Sequence, residues 1–319
     1  MSLSQKQKIK KKTKKNTNKS VYVGLAADML NSGHINLIKN AYKLGDVTIG
    51  LLTDKAIALY KRVPHSDYKQ RLTVIKNIKY VKRVVPQESI DHTDNLKKYK
   101  PDILVHGDDW KKGPLKPIRA KAIKTLRSWG GKLVEHKYTK NISISLMKKK
   151  LAEIGNTADV RRAKLKRLIE AKDIVRLLES HNALTGIIIE KLKIRKKIKL
   201  IEFDGMWSSS LTDSATRGKP DNQAVDYSTR MQGLNEIFEV TTKPLIFDAD
   251  NGGRNEHIPY TIKTLERLGV SGVCIEDKVG TKKNSLFSNQ SGSYQDSIKN
   301  FSKKISIAKN SALTDDFFI

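Results

Sequence analysis

A strand–helix alternation that runs, stops in a charged stretch and then starts again is what most constrains this chain. VYVGLA, VTIGLLT, YVKRVVP, DILVHG and KLVEH are short apolar runs of strand type. Between them lie stretches with helical spacing: HINLIKNAYKL, then residues 55–60, 68–77 and 118–129. Strands and helices taking turns predict a parallel sheet covered on both faces. Residues 145–172 turn helical and highly charged, which places the domain junction there. Beyond it IVRLLES, KLIEFDG, PLIFDAD and VCIEDK predict four further strands, each followed by a helical segment, and FFI opens another apolar run at Phe317. The expected organisation is a disordered basic tail over 1–19, a first α/β domain over 20–145, a helical linker over 146–163 and a second α/β domain over 164–319.

Charge narrows the partners. With 62 Lys and Arg against 33 Asp and Glu, the net charge of +29 attracts polyanions. Aromatic residues make up only 6% of the chain, so platforms for stacking bases are scarce. Small anionic substrates are therefore expected ahead of nucleic acid; a nucleic-acid-associating protein is the alternative from a different class. No apolar run approaches the length of a membrane span, and the lysine-rich N-terminus lacks the apolar core of a secretory signal. A single cysteine, Cys274, excludes an internal disulfide and fits a reducing, cytoplasmic setting. Inside its apolar strand it reads as a small buried residue.

Three strands of the second half end in acids: IEFDG, LIFDAD with Asp248 and Asp250, and VCIEDK with Glu276 and Asp277. Carboxylates gathered at strand ends converge on one pocket, and hard oxygen ligands suit Mg²⁺. WSSSLTDSATRGKPD (207–221), LIFDADNGG (245–253) and EDKVGTKKNSL (276–286) together resemble the phosphoenolpyruvate mutases of the isocitrate lyase superfamily. That resemblance implies a (β/α)₈ barrel that interconverts phosphoenolpyruvate and phosphonopyruvate with Mg²⁺. It also implies roles. Trp207, Ser208 and Ser209 would hold the carboxylate and enol end, and Asp248, Asp250 and Glu276 the metal. Asp221 would position the migrating phosphoryl group, with Lys282, Asn284 and Ser285 on a loop that closes over it. Carbon–carbon lyases of the same superfamily are the alternative; they carry a catalytic cysteine in that loop, which is absent from residues 276–286.

In the first half, NSGH places Gly33 and His34 at a helix start, where free N–H groups and the dipole attract an anion. NSGH, YKR (60–62), YKQR (68–71), HGDDW (106–110) and YTKNISIS (138–145) resemble the glycerol-3-phosphate-type cytidylyltransferases. The resemblance implies CTP as substrate, with a phosphonate or phosphate as acceptor. His34 matches the second histidine of the family's HxGH motif, while Asn31 stands in place of the first. Lys61 and Arg71 would contact phosphates and Asp109 the nucleotide. An asparagine amide donates a hydrogen bond but carries no charge. A working transferase and a degenerate scaffold both stay open.

The expected fold class is α/β, a Rossmann-like nucleotidyltransferase domain followed by the first half of a (β/α)₈ barrel. Half a barrel exposes sheet edges, so the chain is expected to be a piece of a longer, homo-oligomeric protein, binding Mg²⁺ weakly by itself.

Overall fold

The computed structural model describes residues 19–137, 157–280, 282–284 and 294–319. They divide between two compact units, one drawn from Met1–Leu146 with Lys196–Leu200, the other from Met147–Arg195 with Ile201–Ile319. The expected tail, apart from Lys19, the first part of the expected linker, the YTKNISIS segment and Ser285 lie outside the described residues.

In the first unit five strands form one parallel sheet: β1 (Ser20–Leu25), β2 (Asp46–Leu52), β3 (Arg83–Gln87), β4 (Ile103–Gly107) and β5 (Lys132–His136). Their order is β3-β2-β1-β4-β5, so the winding reverses between β1 and β4. Side chains alternate across β1. Val21, Val23 and Leu25 enter one apolar cluster with Ile38, Ile49 and Ile75, while Tyr22 joins Leu96, Leu104, Trp110 and Leu126 on the other face. Both faces are buried, as a parallel sheet requires.

The helix Ser32–Leu44 after β1 and the helix Lys116–Arg127 before β5 lie where helical spacing predicts them. The helix Thr93–Tyr99 was not expected. Leu96 is its only buried apolar side chain, too little to make a period. Its start is held by Asp91, which accepts from the Thr93 N–H at 2.9 Å and from its hydroxyl at 2.5 Å.

The second unit opens with the helix Ala158–Ala171, which runs without a break across residue 164. Four parallel strands follow: β6 (Leu177–Glu179), β9 (Gly205–Ser208), β10 (Leu245–Asp248) and β11 (Gly272–Cys274). They pair in chain order, and Gly272 forms a further parallel bridge to Phe318, where FFI was expected to open a new strand. Met206, Leu245, Phe247 and Val273 project into one core with Ile237, Ile262 and Leu265 of the covering helices. Sequential parallel pairing with helices on one face is how the first strands of a β/α barrel run.

Two expectations are corrected here. KLIEFDG is not a barrel strand: Lys199–Glu202 (β8) pairs with Lys193–Lys196 (β7) in a separate two-stranded ribbon, and the barrel strand is GMWS. Asp204 therefore stands before β9 rather than after it. It accepts from the Arg176 N–H at 3.0 Å and pairs with Lys172, far from the strand's C-terminal end. Cys274 is exposed, not buried, because it projects from the face opposite Val273, which the helices leave uncovered. Among the described residues no helix is long and apolar enough to cross a membrane.

Candidate active sites

In the second unit the C-terminal ends of β9 and β10 bring together groups far apart in sequence. Ser209 has extended backbone angles and its hydroxyl accepts from the Thr212 N–H, starting the helix Ser210–Thr216. The next residue, Ser210, donates both its N–H (3.1 Å) and its hydroxyl (2.8 Å) to Asp248 Oδ2. Asp248 Oδ1 accepts the Asp250 N–H at 2.9 Å. Burial lifts the Asp248 carboxyl, but these bonds and the charge of Lys282 outweigh it and hold it below the usual range.

Asp250 moves the other way. Burial raises its carboxyl and the Asp248 charge adds to that, with Lys282 offsetting only part. Its φ of 50° is left-handed, an uncommon setting for a residue with a side chain. Lys282 Nζ lies 2.5 Å from Asp250 Oδ1, 3.1 Å from Asp221 Oδ2 and 2.5 Å from the Ser210 hydroxyl. Burial lowers its ammonium, yet Asp250, Asp248 and Asp221 hold it above the ordinary lysine value. Asp221 is 2% exposed, and among the described residues its Oδ1 meets no hydrogen-bond donor.

In the first unit a cavity of about 290 Å³ opens at the C-terminal ends of the strands, where the winding reverses. Asn31, Gly33, His34, Lys61, His106, Asp109 and His136 are among its lining residues. Asn31 caps the helix Ser32–Leu44: its Oδ1 accepts from the N–H groups of Gly33 (3.0 Å) and His34 (3.4 Å). The Asn31 N–H donates to His34 Nδ1 at 3.2 Å, so the neutral ring carries its proton on Nε2. Burial, then Lys61, push the His34 ring below its ordinary value, which keeps it neutral at pH 7.

His106 has the opposite tautomer. Its Nδ1 donates to the Gly107 carbonyl at 2.8 Å, leaving Nε2 as an acceptor, and the ring stacks on Trp110 at 3.8 Å. Trp110 is fixed in turn by Glu135, which accepts its indole N–H at 2.7 Å and is paired to Arg119. His92 meets both rings edge-on and is buried. Gly24 has to be glycine to admit it, since a Cβ there would lie 2.3 Å from His92 Cε1.

Residues 165–319 match the family described as phosphoenolpyruvate phosphomutase, and residues 22–163 the family described as cytidylyltransferase-like. The chain is a cytidylyltransferase-like domain joined to a phosphoenolpyruvate mutase domain. The mutase domain is 31% identical over 154 residues to a phosphoenolpyruvate phosphomutase of Tetrahymena pyriformis, covering 48% of each chain. The transferase domain is 33% identical over 85 residues to a glycerol-3-phosphate cytidylyltransferase of Staphylococcus aureus, covering 26% of this chain and 64% of that one. A solved phosphoenolpyruvate phosphomutase from Streptomyces platensis subsp. rosaceus aligns with 51% of this chain and 52% of its own, at 28% identity and a TM-score of 0.44. The chain thus spans about half the length of the phosphomutases it matches.

Of the residues named from sequence in the mutase domain, Asp221, Asp248, Asp250 and Lys282 come together, and Asn284 is buried. Ser208 and Ser209 are buried at the end of β9, with Trp207 half-buried beside them. Glu276 touches this array through its backbone, its N–H donating to the Asp250 carbonyl at 2.7 Å, while its carboxylate pairs with Lys278 at 2.8 Å. In the transferase domain Asn31, His34, Lys61 and Asp109 line the cavity. Arg71 is not among its lining residues. Its guanidinium is buried against the carbonyls of Ala26 and Leu52 and pairs with Asp54.

Sequence reasoning missed Ser210, the residue that fixes Asp248. It gave no role to His92 or His136, nor to His106 within HGDDW (106–110). A serine after WSS carries no pattern of its own, and the histidines lie on different elements.

Proposed function

We propose that the mutase domain interconverts phosphoenolpyruvate and phosphonopyruvate with Mg²⁺, and that the transferase domain moves a nucleotidyl group from CTP to a phosphonate or phosphate acceptor. The observation that carries the first reading is the buried array of Asp221, Asp248 and Asp250 around one ammonium. Among the described residues no three His, Cys, Asp or Glu side chains enclose a metal by themselves. Mg²⁺ does not need that, since it takes one or two carboxylates and completes its shell with waters and substrate oxygens. Hard oxygen donors that already draw a cation inward, and an Asp221 oxygen that meets no donor among the described residues, fit such an ion.

Asp248 and Asp250 would hold it, with Glu276 as the third proposed ligand. When bound it would neutralise the anionic oxygens of the substrate. Trp207, Ser208 and Ser209 are proposed to hold the substrate's carboxylate and enol end through backbone and hydroxyl donors. Asp221 keeps Lys282 in place and so positions the phosphoryl group. The ammonium can follow that group's charge as the P–O bond breaks and the P–C bond forms. Positioning and fixed charge supply most of the rate in such a transfer. Burial of the array keeps out water, which would otherwise take the phosphoryl group.

³¹P NMR of phosphonopyruvate with Mg²⁺ and this chain tests the reading. A growing phosphoenolpyruvate signal supports it. Inorganic phosphate instead would make the domain a hydrolase, the activity named for a relative from Variovorax sp. that is 29% identical over 110 residues. An unchanged spectrum counts against catalysis by this chain.

For the transferase domain, the cavity offers a neutral His34 whose proton is on Nε2, Lys61, and the N-terminus of the helix Ser32–Leu44. Asn31 spends its oxygen on the cap and has only its amide hydrogens to give a phosphate. CTP consumption with 2-aminoethylphosphonate, 2-hydroxyethylphosphonate and glycerol 3-phosphate tests this. No turnover with any acceptor would make the domain a scaffold.

A further inference from the structure

We infer that Arg230 is a positioning residue for the acidic array, holding Asp248 and Asp250 in the geometry that a divalent cation requires. Arg230 lies on the helix Tyr227–Val240, about twenty residues from the strand end it serves, and is 3% exposed. Its Nη1 donates to the Asp248 carbonyl at 2.7 Å, and its Nη2 to the Ser208 carbonyl at 3.2 Å. One planar group therefore ties together the C-terminal ends of β9 and β10.

The same guanidinium approaches two carboxylates. Its Nε lies 3.3 Å from Asp213 Oδ2, and Nη1 lies 3.6 Å from Asp250 Oδ2. Its carbon sits 4.1 Å from the centre of the Phe247 ring, which fixes the plane of the fork from below. The two oxygens of Asp250 are thus divided: Oδ1 faces Lys282 and Oδ2 faces Arg230. This matters because Asp250 has left-handed backbone angles, a conformation that persists only where neighbours hold it. Lysine, with one point charge, cannot span two carbonyls and two carboxylates.

The inference rests on the metal reading above, and the test separates the two. Mn²⁺ binding to the full chain is measured by the loss of free-ion signal in electron paramagnetic resonance, with circular dichroism as a check on folding. For Arg230→Gln the expected result is a loss of about tenfold or more in Mn²⁺ affinity, the usual effect of removing a group that orients metal ligands. The sign is decisive. If Arg230 contributed only charge, removing a cation beside the carboxylates would tighten Mn²⁺ binding, and Arg230→Lys would restore it. Positioning predicts weaker binding in both variants.

Unchanged or tighter binding in folded Arg230→Gln or Arg230→Lys overturns the inference. Should Arg230→Gln fail to fold, Arg230→Lys decides, because it keeps the charge but cannot bridge the Asp248 and Ser208 carbonyls. A loss of affinity there supports the inference, and full affinity overturns it. Wild-type protein without Mn²⁺ binding overturns the metal reading and this inference with it.

Discussion

Asp248 and Asp250 stand two residues apart, yet their carboxyls are displaced in opposite directions. Donated hydrogen bonds make the difference. Asp248 receives two N–H groups and a hydroxyl, whereas Asp250 receives chiefly the Lys282 ammonium. Because the folded value of Asp250 is raised, its contribution to stability is present at low pH and is lost as pH rises through that value. Lys282→Met removes the cation that offsets this. The variant should lose about 3–5 kcal/mol, the cost of breaking a buried pair, and the loss should be larger at pH 8 than at pH 5. Denaturant midpoints at the two pH values check it; equal losses would mean that Asp250 is not the group left charged.

His92 carries the corresponding prediction for the transferase domain. Burial, with His106 adding to it, pushes the ring down to about 3. A depressed folded value means that its stability contribution is complete above the unfolded value near 6.5 and is lost as pH falls toward 3. Going from pH 6.5 to 4.5 should cost the domain roughly 2–3 kcal/mol through this residue. His92→Gln, which can still meet Gln87, should flatten that part of the acid limb, read from the fluorescence of the adjacent Trp110.

At the scale of elements, the helix Ala158–Ala171 shows how a charged stretch becomes core. Its first residues, up to 163, read as a charged linker, but Arg161 is 1% exposed. It donates to the carbonyls of Phe238, Thr241 and Lys243 and to the Thr241 hydroxyl. Those groups close the helix Tyr227–Val240 and lead into β10. Arg161→Met would leave them buried without donors. A loss of about 3 kcal/mol or more in the mutase-domain transition is expected, with the transferase-domain transition unmoved. Equal shifts in both transitions would reject this assignment.

Helix Ala183–Lys191 presents the reverse case. Leu184, Ile187 and Ile188, on one face at helical spacing, are 65%, 38% and 50% exposed. Apolar side chains stacked in this way favour association. Sedimentation should show concentration-dependent self-association that Leu184→Lys with Ile188→Glu reduces. An unchanged profile would rule this stripe out as the cause.

At the scale of the whole molecule, both parallel sheets were legible in the sequence. Apolar runs alternating with helical periods can bury two faces, or one face and a set of covering helices, in few other ways. The acids of LIFDAD were legible too, since carboxylates at a strand's C-terminal end reach a common mouth. KLIEFDG shows the limit. Its apolar residues fit a barrel strand as well as a ribbon, and the choice fell to GMWS because Met206 had a core to enter. Cys274 shows the same limit in one residue: the strand pattern marks it as apolar, but only the covering helices decide which face is dry. What the sequence by itself determined was the alternation, the two domains and the acids gathered at the strand ends. Tertiary structure alone decided which partners those acids have. Ser210, Arg230 and Lys282 meet Asp248 and Asp250, and Asp221 joins them through Lys282, across separations that no local pattern spans, and hydrogen bonds and burial act through distance in space rather than along the chain.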